Sequence, residues 1–376
     1  RKYPVELLEF GAGPAILPNR RGLLQAPRGA TSAMSSQNLT SLRHQFAGWE
    51  QAQEYYVEAN LTDGLPIVPP SEDRVSAMLE FAGLPPDQVI GVEKIRQKHI
   101  TAEKVAINAV MAGCRPEYFP VVVSAVAACC ERSFNLHASS TSTNGVTVLV
   151  LVSGGYAQEI GMNSSTGVMG PSNQANATIG RAVNLVKTNF YGSLPQEMDN
   201  STFGHPGKYS FCFAENLDAG NWPSLAVDKG FDGGSSTVTV VAAYSPLQVS
   251  VYGGKDPGSF LAGVAHAMIG LGPSISEVLV VLSPEVMQYV NEACWSRQKV
   301  QEFLWEKTQL PAREWIAWRR VEHPENFTDQ NQLVGCVTDP SRITVVAAGG
   351  AAGVYIDVIG SWGNSRSVTR KIEVRS

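Results

Sequence analysis

Four runs constrain what this chain can fold into more than anything else in it: "VTVLVLVSG" from Val146, "STVTVVAAY" from Ser236, "EVLVVLS" from Glu277 and "RITVVAAGG" from Arg342. Each is apolar and rich in β-branched residues. Each has the length of a strand, and none reaches the ~18 residues that a membrane span needs. Continuous apolar runs of this kind read as strands covered on both faces. Helical patterns lie between them, as in "ANATIGRAVNLVKTN" and "RQKVQEFLWEKT". Strands alternating with helices predict an α/β fold, a layered sheet flanked by helices. "KYSFCFAE" is a further strand candidate.

The start and stop signals are local and strong. Ser71 caps a helix beginning near Glu72, and Thr101 caps one that Gly113 ends. Asp256-Pro257 and Ser283-Pro284 each place a cap before a proline at the first helical position. "FPVVVSAVAACCE" reads as a buried helix, and "RHQFAGWEQAQEYYVEAN" as an amphipathic one. The chain therefore divides into a leader at 1–33, a mainly helical region at 34–140 and an α/β domain at 141–376. No internal repeat is visible. The leader carries Arg20, Arg21 and Arg28 with few acids, as a flexible or transit-like segment would.

Composition narrows the function. A net charge of −5 with no basic stripe argues against nucleic acid. Six scattered cysteines without a C-x-x-C pair point to free thiols and an intracellular site, cytoplasmic or organellar. The histidine spacing matches no zinc pattern, and no metal ligands are assigned. No cofactor is indicated.

Three stretches carry candidate chemistry. In "MAGCRPEYFP", Cys114 lies near a helix start and beside Arg115, which predicts a lowered thiol pKa and nucleophilic reactivity. In "GVMGPSNQANATIGRAVNLV", Asn176 and Thr178 open a helix and Arg181 follows one turn later, a pattern suited to clamping a carboxylate or phosphate. In "NSTFGHPGKYSFCFAEN", His205 is a candidate acid or base, Lys208 and Asn216 are substrate contacts, and Cys212 is either a second thiolate or a core residue behind the loop. The glycines around Pro206 let the backbone approach a ligand. Gly349-Gly350, directly after a strand, form a further possible anion cradle.

Several of these motifs together, "GLPIVPPSEDRV", "EKVAINAVMAGCRPEYFPVVV", "ANATIGRA", "GHPGKYSFCFAEN" and "SVTRKI", resemble a largely uncharacterised bacterial protein family. Its members are associated with small thiol or selenol proteins of the Cys-Gly-Ser-Cys (UGSC) type. The resemblance covers roughly residues 60–372 and implies thiol-linked chemistry on a small molecule. The chain has no Cys-Gly-Ser-Cys motif, so the resemblance implies a separate thiol or selenol partner.

The resulting expectation is an enzyme acting on a small anionic organic molecule, lyase-like, cleaving or adding at a carbon–heteroatom bond. His205, Cys114 and Cys212 would be catalytic, and Asn176, Thr178, Arg181, Lys208 and Asn216 would bind substrate. The alternatives are a non-catalytic binding or scaffold subunit of a thiol-redox system, or a metal-dependent lyase or hydratase. No membrane partner is expected.

Overall fold

The computed structural model describes residues 7–10, 39–252, 254–273 and 275–375. Its centre is a pair of four-stranded mixed sheets flanked by helices. We number their strands β1 Thr147–Ser153, β2 Cys212–Ala214, β3 Thr237–Ala243, β4 Leu247–Ser250, β5 Val278–Leu282, β6 Ile343–Ala347, β7 Tyr355–Gly360 and β8 Val368–Lys371. The four runs that dominate the sequence are β1, β3, β5 and β6.

The first sheet has the order β8-β3-β1-β2, and the second β6-β5-β7-β4. Both follow one plan. β1 pairs in parallel with β2 and antiparallel with β3. β5 does the same with β6 and β7. The fourth strand is exchanged between the halves. β4 follows β3 in the chain but pairs with β7, and β8 follows β7 but pairs with β3. Where β3 and β7 end, a reciprocal bridge joins the halves: the Tyr244 amide donates to the Gly360 carbonyl and the Trp362 amide to the Ala242 carbonyl, both at 2.8 Å. The molecule is thus built on an internal repeat that the sequence does not display.

Four helices pack on the outer faces: α1 Phe119–Cys129, α2 Gln174–Asn189, α3 Pro257–Ile269 and α4 Arg297–Lys307. α1 and α2 cover the first sheet, and α3 and α4 the second. The strand pleat sends alternate residues to opposite faces. Val148, Val150 and Val152 therefore join the helices of the first half, and Val278, Val280 and Leu282 those of the second. Leu149, Leu151, Phe213 and Val241 point the other way and meet Leu279, Val281, Val346 and Ile359 between the sheets. The layers run helix, sheet, sheet, helix. This explains why the strands read as unbroken apolar runs: both faces are covered.

Ser71, Thr101, Asp256 and Ser283 all stand at the expected N-cap positions, but among them only Asp256 makes a side-chain cap bond. Asp256 accepts the Ser259 amide at 2.8 Å, and Gly113 adopts φ 91° beyond Ala102–Ala112, a conformation that favours glycine. The stretch 43–60 is only partly helical: Arg43–Phe46 is a strand and the helix is Trp49–Glu58. Residues 34–140 contribute helices and a hairpin, but one apolar core runs from Leu39 through Val148 to Ile372, across the expected boundary near 140. Within the leader, Leu7–Phe10 pairs in parallel with Arg43–Phe46, and the remaining expectation for 1–33 lies outside the described residues. Among the described residues, no helix is long and apolar enough to cross a membrane.

Candidate functional site

Two glycine-rich stretches far apart in sequence meet at one cavity of about 300 Å³. One is Gly167–Gly170, before α2. The other is the 348–354 loop between β6 and β7. The cavity lies at the carboxyl ends of the parallel pair β5 and β6, where open α/β sheets usually place their ligands. Val281, Ser283, Ala348, Gln248, Tyr355 and Asp357 line it.

The 348–354 loop is held from several sides. The Gly349 amide donates to the Ser164 carbonyl at 2.9 Å. The Ser283 hydroxyl donates to the Gly353 carbonyl at 2.8 Å, and the Gly353 amide to the Glu285 carboxylate at 2.9 Å. Gly349 has φ 106° and Gly353 φ 110°, values a side chain would strain. A Cβ on Gly350 would meet Thr166 Oγ1 at 2.7 Å, so the crossing from the other half also demands glycine. The amides of Gly350, Ala351 and Ala352, between these fixed points, donate to no protein group among the described residues. Successive free amides of this kind receive anions. Burial pushes the Asp357 carboxyl above its ordinary pKa, and Gln248, opposite it on β4, only partly offsets this.

The corresponding place in the first half is closed. Glu215 follows β2 as Ala348 follows β6, and its carboxylate is buried. It accepts from the Ser153 hydroxyl, from the Leu225 amide at 2.9 and 3.1 Å, and from Arg297 at 3.4 Å. Arg297 also pairs with Asp228 at 3.2 Å. Burial raises the Glu215 pKa, and these donors pull it back.

No protein-family model matches the chain, and no curated protein is detectably similar to it. The site therefore has to be judged on its geometry.

The residues singled out in the sequence fall into separate places. Cys114, Thr178 and Arg181 cluster near the start of α2, with Cys212 next to them. The expectation of a reactive Cys114 thiolate is reversed: burial drives its pKa up to about 12, and the helix terminus and Arg115 do not compensate. Cys212 is buried in the first core, and its thiol pKa is raised by burial as well. Arg181 is already engaged. It donates to both Asp63 oxygens at 2.8 Å and to the Pro66 carbonyl at 2.9 Å, so its fork clamps the 62–66 segment rather than a free anion. Asn176 ties the helix start to the preceding loop through Asn163 at 2.8 and 3.0 Å. Thr178 donates to the Gln174 carbonyl.

His205 and Lys208 sit near the amino end of β1, where Gly204 packs against Gly145. Lys208 pairs with Asp199 and Ser201. His205 Nδ1 accepts the Gly207 amide at 3.2 Å. Its Nε2 is buried near the Ala243 carbonyl without completing a hydrogen bond. Burial, Lys208 and Lys187 keep the ring's pKa below its ordinary value. Asn216 donates its amide to the Ala347 carbonyl at 2.8 Å and borders a small cavity of about 20 Å³ beside Glu215 and Arg297. The five principal cavities contain none of Cys114, Arg181, His205 or Cys212. The structure does not bring the sequence candidates to one site. Among the described residues, no three His, Cys, Asp or Glu side chains converge as metal ligands.

Two residues escaped the sequence reading. Asp357 lies on β7 (Tyr355–Gly360), a strand not singled out from the sequence. Its signal was alternation, with Ile356 and Val358 apolar on either side. Lys187 is buried beside Cys129, Val148 and Tyr191, and burial together with Lys208 lowers its pKa to about 8. Its signal was its place in the Ile179, Val183, Lys187 series, an i, i+4 stripe whose other members are core.

A larger groove of about 800 Å³ runs on the outside between the Val89–Glu93 strand and β8. It is broad and crossed by the Arg370–Glu131 ion pair, without the convergent amides of the inter-sheet cavity.

Proposed function

We propose that the protein is an enzyme for a small organic anion, with the inter-sheet cavity of the second half as its site. The amides of Gly350, Ala351 and Ala352 hold the negative group. Asp357, whose carboxyl is held above its ordinary pKa by partial burial, moves a proton to or from the bound molecule. This keeps the anionic substrate and lyase-like proton chemistry expected from the sequence, and moves them from His205 and the thiols to the strand ends. None of the six cysteines lines the cavity, so any thiol chemistry would come from the separate partner that the family resemblance implies. The observation that carries the reading is the meeting of the unpaired amides of Gly350 and Ala352 with the half-buried carboxyl of Asp357 in one cavity of ligand size.

Calorimetric titration with small organic acids and with inorganic phosphate tests it. Ala352 is exposed at the cavity mouth, so Ala352→Asp adds a like charge without disturbing the core. Binding should weaken by about tenfold or more in that variant. Because Asp357 must carry its proton, binding should also weaken as pH rises through its elevated pKa. Undiminished affinity in Ala352→Asp, or no binding of any anion to the wild-type chain, would remove this site from consideration.

A further inference from the structure

The two halves can be aligned residue by residue, and the alignment names the ligand class of the open pocket. This step rests on that pocket being a binding site. Val152 pairs with Ala214 in the first sheet, and Leu282 with Ala347 in the second. The next residue along donates its amide to the same strand in each half: Glu215 to the Val152 carbonyl at 2.8 Å, and Ala348 to the Leu282 carbonyl at 3.0 Å. Glu215 and Ala348 therefore share an address, as do Ser153 and Ser283. Across the sheet, Thr239 pairs with Leu151 as Asp357 pairs with Val281.

At this address the first half holds a carboxylate. A serine hydroxyl, a backbone amide of the loop after β2 and Arg297 receive it. The second half has a serine at the same place, but its hydroxyl donates to the Gly353 carbonyl instead of to a carboxylate; the side chain at the Glu215 address is the methyl group of Ala348, and the space beyond it is open. No lysine or arginine lines this cavity among the described residues. Hydroxyls and amides alone suit one delocalised negative charge better than the near-double charge of a phosphate.

We infer that the open pocket takes the carboxylate of a small organic acid, received as the first half receives the side chain of Glu215. Glu215 is then a built-in occupant of the closed site, and Ala348 marks the vacancy that a free ligand fills. The planar group would lie against the amides of Gly350 and Ala352, with Ser283 turning its hydroxyl from the Gly353 carbonyl to the ligand and Asp357 beside it.

The test has two arms on the full-length chain, each at matched ionic strength. In the first, sodium acetate and propionate are titrated against sodium phosphate on wild-type protein. The expected result is saturable binding of the carboxylates, with phosphate weaker by about tenfold or more. Phosphate binding as well as or better than acetate overturns the carboxylate assignment and leaves the anion pocket standing; no binding by either salt overturns the pocket itself. In the second arm, Glu215→Ala empties the closed address. Acetate should then raise its Tm above the shift it gives wild type, and phosphate should not. Equal shifts in wild type and variant overturn the equivalence. If Glu215→Ala folds poorly, the yield on refolding in acetate against chloride gives the same comparison: a higher yield in acetate supports the inference, and an equal yield contradicts it.

Discussion

At the carboxyl ends of β1 and β2, the first half of the molecule buries Glu215, Ser153 and Arg297 beneath a long loop. At the carboxyl ends of β5 and β6, the second half keeps the serine and leaves a hollow. The strands are not the cause, because both sheets share one pairing plan. The connections are. Residues 215–236 join β2 to β3 and include the short helix Leu225–Asp228, whose Leu225 side chain enters the inter-sheet core while its amide reaches Glu215. Residues 348–354 join β6 to β7, and this glycine-bracketed loop is too short to do the same. Loop length thus differentiates a shared scaffold: one side is filled by its own loop, and the other is left open for the ligand we propose.

This contrast is broken most severely by removing Glu215. Glu215→Ala takes the acceptor from the Ser153 hydroxyl and the Leu225 amide and leaves Arg297 with only Asp228 and the Pro223 carbonyl, and should cost about 2–4 kcal/mol in urea denaturation. Asp357→Asn, at the open half, should change stability by less than about 1 kcal/mol, because that carboxyl supports no comparable network. Similar losses in the two variants would mean that the halves are not differently specialised.

Lys187 sharpens the comparison from the outer layer of the first half. Its pKa near 8 lies below the ordinary lysine value, so the folded chain releases this proton more readily than the unfolded chain. The cost of burying the charge is fully present below pH 8 and is relieved as pH rises from about 8 to 10.5. Lys187→Met should therefore stabilise the protein at neutral pH, by about 3 kcal/mol from a shift of that size. The advantage over wild type should shrink through the same window. The cysteines titrate in that window in the unfolded chain, and equally so in both proteins, because burial raises the folded thiols above it; the difference between the two curves therefore reports Lys187. An advantage that does not depend on pH would show that its charge is not suppressed.

A smaller effect separates a structural from a binding role for Arg181. Arg181→Lys loses the two-pronged contact with Asp63, both side chains being largely buried. It should cost roughly 1–2 kcal/mol of stability and leave acetate affinity unchanged. A folded variant with weakened acetate binding would return Arg181 to the site.

Much of the fold was legible because the strongest strands are covered on both faces and their apolar runs are unbroken. β4, β7 and β8 were not, because each is half-exposed or flanked by glycine, and pairing with the opposite half supplies what their sequences lack. The repeat was invisible for the same reason: it lives in strand pairing and exchange. At the site, Gly349-Gly350 stood out in the sequence as glycines directly after a buried strand, and the structure uses them for a positive φ and for the close approach of Thr166. Their partner Gly167–Gly170 was noted separately, and nothing in the sequence says that the two meet. Arg181 and Cys114 misled because their local surroundings promised charge stabilisation, whereas Asp63 and burial, both set by tertiary contacts, decide their chemistry.

The most direct measurement is an amide-resolved NMR titration of the wild-type chain with sodium acetate, referenced to chloride. The two-halves account predicts saturable shifts at the amides of Gly350, Ala351 and Ala352, with Leu225 in the closed half unaffected. Shifts centred on Gly207 and Lys208, with none at 350–352, would place the ligand in the His205 loop and contradict it.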